Sequence, residues 1–169
     1  MPGKAPKRSY WDACVFLAWV NKEPDRVGVV DALLDSAGDG VIEIVTSVIS
    51  ITEVALAAPE QAAKVLSAAE LARIDNLWKP RSPVKLAECH VLIATDAREL
   101  MRKTTGDGWK LKAPDAIHLS TAVRLGCQEF LTYDSRLFKF DSIIGMPVKE
   151  PFADRLPLQF DEDSDQDSD

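Results

Sequence analysis

LKAPDAIHLSTAVRLGCQEFLTYD, residues 111–134, is the segment that decides the fold. Pro114 suits the first turn of a helix, because that turn leaves its amide groups unpaired in any case, and Gly126 is a residue type that ends helices. The pattern therefore predicts a helix over Asp115–Leu125. The apolar run Glu129–Tyr133 predicts a buried strand after it, since such strands are short and rich in aromatic and aliphatic residues.

The same alternation of strand and helix extends through the rest of the chain. Apolar and β-branched runs predict strands at Arg8–Trp11, Val41–Thr46 and Val84–Glu88. Helices are predicted at Ala13–Asn21, from Pro24 to the breaker at Ser36–Gly40, over Val48–Ala58, once or twice within Glu60–Lys79, and over Val91–Thr105. Because a parallel pair of strands needs a crossover helix, this order predicts an α/β/α sandwich with a central, mainly parallel sheet flanked by helices.

Composition fits one soluble globular domain. The chain has 169 residues, of which 46% are hydrophobic and 28% charged. We expect a single domain over residues 1–155 and a disordered acidic tail over 156–169, because DEDSDQDSD at 161–169 cannot bury enough apolar surface to fold. Much of the net charge of −7 lies in that tail, so the remaining chain is close to neutral. A large basic surface for nucleic acid is therefore not expected.

Further patterns limit the possible compartments and activities. Cysteine occurs three times, widely spaced and without a C-x-x-C pair, which favours reduced thiols in the cytoplasm. No apolar run approaches the roughly 20 residues of a membrane span. The glycine-rich and G-x-S-x-G motifs of nucleotide-binding proteins and serine hydrolases do not occur.

Four acidic residues follow predicted strands or begin or lie within predicted helices: Asp12, Glu53, Asp115 and Asp134. Each of the three aspartates has an ordinary structural explanation as a helix cap, a first-turn residue or an Asx turn. Glu53 is harder to explain in this way, because its predicted helix neighbours Ile49, Leu56 and Ala57 are apolar.

The positions of the four acids along the chain predict a shared site. The carboxyl ends of parallel strands line one crevice of an open sheet, and ligands bind there. Carboxylates that meet in such a crevice repel one another, and a divalent cation with a preference for oxygen ligands, Mg²⁺ or Mn²⁺, removes that cost. Such a site polarises a phosphoryl oxygen and activates water, which is the chemistry of phosphodiester hydrolysis.

The same segments resemble the successive motifs of PIN-domain ribonucleases, especially VapC-like toxins of bacterial toxin–antitoxin pairs. The matching stretches are SYWDACVFLAWV (9–20), TSVISITEVAL (46–56), LKAPDAIHLSTAVRLG (111–126) and FLTYDSRL (130–137). The resemblance covers roughly residues 8–150, and its most specific part is APDAIHLSTA followed by LTYD. Cys14 stands where the family more often has Ser or Asn.

The resemblance implies a Mg²⁺- or Mn²⁺-dependent endoribonuclease that leaves 5′-phosphate and 3′-hydroxyl ends. It implies Asp12 and Asp115 as the most direct metal ligands, with Glu53 and Asp134 completing the cluster. It also implies a cognate antitoxin and self-association. The alternative is a PIN-like binding or scaffold protein with weak or no nuclease activity, which the four retained acids disfavour.

Several other side chains are candidates for supporting roles. Lys110, Lys112 and Arg136 lie beside the third and fourth motifs and are predicted to contact RNA phosphates. His118 is expected to pack near the cluster or to support it, since metal-activated water needs no histidine base. The first two predicted helices are also expected to present an apolar groove to a partner, formed by Val15, Phe16, Trp19, Val29, Val30, Leu33 and Leu34.

Overall fold

The computed structural model describes residues 5–154, and their central element is a parallel sheet. Its strands are β1 Lys7–Trp11, β2 Ile42–Ser47, β3 Val84–Ala87, β4 Glu129–Leu131 and β5 Val148–Lys149. They are ordered β3-β2-β1-β4-β5, and every neighbouring pair is parallel. The predicted α/β class with a parallel sheet is confirmed. Because all the strands run the same way, their carboxyl ends share one edge.

Helices connect the strands and cover the sheet. They are α1 Ala13–Val20, α2 Pro24–Gly38, α3 Ser50–Glu53, α4 Ala58–Ala63, α5 Ala68–Leu77, α6 Val91–Gly106, α7 Ala113–Arg124 and α8 Asp141–Ile144, with a 3₁₀ helix at Ser135–Phe140. The long predicted helices agree with α1, α2, α6 and α7 to within a few residues.

The predicted helix Val48–Ala58 is wrong. Only Ser50–Glu53 is helical, and the backbone leaves the helical region at Val54 with φ −105° and ψ 39°. Val54 and Ala57 then turn into the core, where they are fully or almost fully buried. Pro59 lies in the first turn of α4 and therefore begins a helix instead of ending one. Leu56 and Ala57 consequently do not share a helix face with Glu53.

Alternating strand residues divide the apolar core into two layers. Trp11 and Leu131 pack on one face of the sheet with residues of α1, α2 and α5. Their neighbours Tyr10 and Phe130 point to the other face, toward α6, α7 and the 3₁₀ helix. The sheet is thus covered on both faces, as a parallel sheet requires.

The expected apolar groove on the first two helices is wrong for three of its seven side chains, and for the partly exposed Trp19, Val29, Leu33 and Leu34 it stays a prediction. Val15, Phe16 and Val30 are fully buried in the first core layer, and Trp19, Leu33 and Leu34 pack partly buried against it. Residues of α2 and α5 both pack over this face, so the three buried side chains are covered by the chain itself. Three helices, α1, α2 and α5, thus contribute to this layer of the core.

Two further expectations concern the extent of the chain. The predicted acidic tail, 156–169, lies outside the described residues, and the division into residues 1–155 and a tail stays a prediction. Within residues 5–154, none of the helices is both long and apolar enough to span a membrane.

Candidate active site

The four predicted acids lie on the carboxyl side of the sheet. Asp12 directly follows β1, Asp134 follows β4, and Glu53 is the last residue of α3, which follows β2. Asp115 is in the first turn of α7, the helix that returns to the start of β4. All four acids are therefore on the predicted side of the sheet, and their side chains have different partners.

Asp12 is buried and held by donors on both carboxylate oxygens. Oδ1 accepts a hydrogen bond of 2.8 Å from the amide of Ala13, which makes Asp12 the N-cap of α1, as the structural explanation of this residue predicts. Oδ2 accepts one of 2.8 Å from Thr132 Oγ1 and a longer one of 3.3 Å from the thiol of Cys14. The carboxylate is therefore fixed by β4 as well as by its own helix.

Cys14 belongs to the same network. Its sulfur lies 3.1 Å from Thr132 Oγ1 and accepts a hydrogen bond of 3.2 Å from the amide of Tyr133. Burial, reinforced by the charge of Asp12, raises the pKa of the thiol to about 12. Cys14 is thus a neutral hydrogen-bonding group in this position and not a reactive thiolate.

Asp115 is half-buried and lies within the electrostatic reach of two other acids. Burial raises its pKa above the ordinary value, and the negative charges of Asp12 and Asp134 raise it further. The positive charge of Lys112 opposes this rise without cancelling it. The structure therefore brings Asp12, Asp115 and Asp134 into one electrostatically crowded group.

Asp134 caps the 3₁₀ helix and is paired with Arg136. Its Oδ1 accepts from the amide of Arg136, and the guanidinium contacts both carboxylate oxygens at 2.5–3.0 Å. This pairing lowers the pKa of Asp134. The Arg136 side chain is 72% exposed, so solvent screens the pair and its contribution to stability is small.

Glu53 reaches the site through a histidine. Its Oε2 lies 2.6 Å from Nε2 of His118, and the same nitrogen lies 3.7 Å from Oδ1 of Asp12. His118 is fully buried, with its other ring nitrogen 2.7 Å from the hydroxyl of Tyr10. His118 is thus packed beside the acids, in the position expected for it.

The carboxylate oxygens of the four acids are chemically suitable ligands for a hard divalent cation. Within residues 5–154, no three Asp, Glu, His or Cys side chains are already gathered as a metal site, because Glu53 and Asp134 face His118 and Arg136. The charged oxygens of the crowded group are carboxylate oxygens, the ligand type that Mg²⁺ and Mn²⁺ prefer. A cation there would relieve the repulsion that raises the pKa of Asp115.

The predicted cationic residues lie around this group at different depths. Lys112 is the N-cap residue of α7, and its charge lowers the pKa values of both Asp115 and Asp134. Arg136 is paired with Asp134, and Lys110 is exposed in the connection between α6 and α7. Their contact with RNA stays a prediction, as does the role of the four acids.

Sequence comparison assigns most of the chain to one known domain type. The model of the PIN domain matches residues 9–143, which includes all four acids. No curated protein matches the chain by sequence.

Solved structures with the same fold are VapC and FitB toxins of toxin–antitoxin systems. VapBC2 from Rickettsia felis, solved with a DNA fragment from its promoter, matches with a TM-score of 0.62 and 15% identity over 85% of this chain and 98% of that one. FitAcB from Neisseria gonorrhoeae matches with 0.60 and 18%, over 85% and 97%. VapC20 from Mycobacterium tuberculosis, described as a toxin that cleaves the sarcin–ricin loop, matches with 0.59 and 15%, over 88% and 99%.

Proposed function

The chain belongs to the PIN-domain family, and we propose that it is a Mg²⁺- or Mn²⁺-dependent endoribonuclease. The observation that carries this proposal is the electrostatic crowding of Asp115 by Asp12 and Asp134 at the carboxyl edge of the sheet. Crowded carboxylates lower the stability of a folded protein, and a bound cation relieves that cost. Ionisable groups with shifted pKa values also cluster at functional sites. Asp12 and Asp115 hold the metal in this proposal, and Glu53 and Asp134 complete the cluster.

Asp12 and Asp115 have distinct tasks in this proposal. When bound, the cation polarises a phosphoryl oxygen and activates water for in-line attack on phosphorus. Asp12 supplies a carboxylate that Thr132 and Ala13 already orient, so little is lost in ordering it. Asp115 supplies a half-buried charge whose repulsion from its neighbours is relieved on binding.

RNA is the proposed substrate. Lys112 and Arg136 lie close enough to Asp134 to lower its pKa, and cations in this position suit contacts with RNA phosphates. One structural neighbour is described as a toxin that cleaves the sarcin–ricin loop, which supports an RNA target of this kind. The chemistry implies products with 5′-phosphate and 3′-hydroxyl ends.

A protein antitoxin is the proposed partner. Two neighbours, VapBC2 and FitAcB, are toxin–antitoxin complexes, which supports a partner of this kind. We expect this chain to self-associate and to bind the product of an adjacent small gene. Co-expression followed by size-exclusion chromatography with light scattering tests both, and a monomer indifferent to that product would contradict the toxin assignment.

The nuclease proposal is tested by mapping cleavage of a defined RNA with Mg²⁺, with Mn²⁺ and with EDTA. Asp115→Asn should abolish cleavage, whereas Asp96→Asn should not. Asp96 is a matched control because it is an aspartate that pairs with Arg124 on the surface of α6. Intact RNA with wild-type protein and either metal would instead favour the binding or scaffold alternative.

A further inference from the structure

Glu53 is the acid that the fold supports least. It ends a helix of four residues, and 31% of its side chain is exposed. Within residues 5–154, the hydrogen bond to His118 Nε2 at 2.6 Å is the sole contact that fixes its carboxylate. A glutamate on so short a helix samples several rotamers unless a partner holds it.

His118, by contrast, is rigidly placed. It is fully buried in α7, and its Nδ1 lies 2.7 Å from the hydroxyl of Tyr10. That hydroxyl already accepts a hydrogen bond of 3.0 Å from the amide of Ser47. The hydroxyls of Thr46 and Thr121 are also partners of Tyr10, but each donates its own proton to a backbone carbonyl. Because Nδ1 of His118 lies only 2.7 Å from the Tyr10 hydroxyl, we assign Tyr10 as the donor to Nδ1, which leaves the proton of the ring on Nε2.

Packing alone does not account for this arrangement. An imidazole in an apolar layer costs free energy unless both nitrogens have partners, and an aliphatic side chain would fill the space without that cost. Here one nitrogen is bonded inside the core and the other points out of it toward the acids, 3.7 Å from Asp12 Oδ1. The ring therefore connects the core to the edge of the site.

We propose that His118 is a positioning residue, which donates from Nε2 to orient the carboxylate of Glu53 toward the acidic cluster, and that Tyr10 fixes the tautomer that makes this possible. The inference rests on the proposed function, in which Glu53 completes the metal site. Outer partners of metal sites typically change affinity or activity by about 10- to 100-fold when they are removed. We expect an effect of this size from His118.

Two substitutions separate the two ring nitrogens. His118→Gln retains an N–H group near the position of Nε2, whereas His118→Asn retains a polar group near Nδ1 and loses the donor to Glu53. The Asn variant should bind Mn²⁺ about 10- to 100-fold more weakly in calorimetry and lose a similar factor in kcat, with KM for RNA unchanged. The Gln variant should recover most of both, and equal losses in the two would overturn the proposal.

A double-mutant cycle keeps the test independent of folding. Glu53→Gln alters an exposed position, so this variant should fold as the wild type does. In that background His118→Asn should cause no further loss of Mn²⁺ affinity, because the carboxylate that it orients is gone. A full loss in both backgrounds would show that His118 acts by some other route and would overturn the proposal.

A spectroscopic measurement tests the tautomer without metal or RNA. The chain has two histidines, so ¹⁵N NMR of the imidazoles gives two rings, and His90→Gln assigns them. We expect His118 to be protonated at Nε2 and bare at Nδ1, and Tyr10→Phe to mix the two tautomers. A ring protonated at Nδ1 in the wild type would overturn the assignment.

The outcomes also separate this inference from the proposed function. Wild-type protein that binds Mn²⁺ and cleaves RNA, together with a His118→Asn variant that does both equally well, leaves the nuclease intact and overturns the role of His118. If the wild-type protein neither binds Mn²⁺ nor cleaves RNA, the proposed nuclease function is overturned, and the proposed role of His118 is overturned with it.

Discussion

Thr132 donates a hydrogen bond of 2.8 Å to Oδ2 of Asp12, and so the residue directly after β4 orients the acid that directly follows β1. The same hydroxyl accepts from the amide of Asp134 at 3.0 Å. Two predicted site residues that follow neighbouring strands are thus joined through one buried side chain. The geometry of this part of the site is set by the sheet and does not depend on a flexible loop.

Replacing Thr132 by Val should therefore destabilise the protein by about 1–3 kcal/mol, the cost of leaving buried polar groups unpaired. Thr132→Ser is the matched control, because it keeps the hydroxyl and removes one methyl group. Urea denaturation measures both variants. An equal loss in the Ser variant would mean that the methyl group, and not the hydrogen bonds, stabilises this position.

The sequence predicted the fold more completely than the site. Long helices and buried strands were found because Pro114, Gly126 and the apolar runs mark their ends locally. β5 and the end of α3 were missed, since a two-residue strand and a four-residue helix have no period to detect. Their placement depends on tertiary contacts such as those of Val54.

The hydrogen-bond partners of the acids are also hard to predict from the sequence. Asp12 and Asp115 could be selected because each stands at a strand or helix end. Thr132 and Tyr10 could not, because their roles depend on residues more than 100 positions away. The signal that was available is the small polar residue two positions before Asp134 in LTYD, at the end of a buried strand.

The thiols of Cys14 and Cys127 should resist alkylation. Burial raises the pKa of Cys14 to about 12 and that of Cys127 to about 11, so neither is a thiolate at pH 8. Cys14 and Cys89 are both partly exposed, so the raised pKa of Cys14 is what separates them, and Cys89 should react first with iodoacetamide. Mass spectrometry of the folded protein tests this order, and labelling in urea, where all three should react, is the control.

Removing the charge of Asp115 should stabilise the metal-free protein at neutral pH. The folded-state pKa of this acid is raised, chiefly by burial, so the ionised form costs stability, and the cost disappears as the pH falls through that pKa. In EDTA at pH 7, Asp115→Asn should therefore melt no lower than wild type. The advantage should vanish below about pH 4, near the unfolded pKa of aspartate.

Metal should reverse that order. A ligand that binds only the folded state raises its stability with concentration, so excess Mn²⁺ should raise the Tm of wild type and not that of Asp115→Asn. Asp96→Asn, on the surface of α6, is the control and should respond as wild type does. A clearly lower Tm for Asp115→Asn in EDTA would mean that Asp115 stabilises α7 as a first-turn acid and little else.

The cations around the site should contribute to RNA affinity through salt-dependent phosphate contacts. Measured on the inactive Asp115→Asn background, neutralising Lys112 or Arg136 should lower the slope of log affinity against log salt by about 0.7 each for single-stranded RNA. Lys85→Gln is the control, because Lys85 pairs with Glu43 on the far side of β1 from β4. An unchanged slope in both variants would remove these residues from the RNA surface.

The acidic terminus should compete with RNA for the same cations. Six acids lie in residues 161–169, and a tethered polyanion reaches effective concentrations up to about the millimolar range. Deleting these residues should therefore tighten RNA binding at low salt, and the gain should fade at high salt, since the Debye length is about 8 Å at physiological ionic strength. A full-length variant with every tail Asp and Glu changed to Asn or Gln separates charge from length and should bind as the deletion does. Equal affinities of all three proteins at low salt would mean that the tail serves solubility alone.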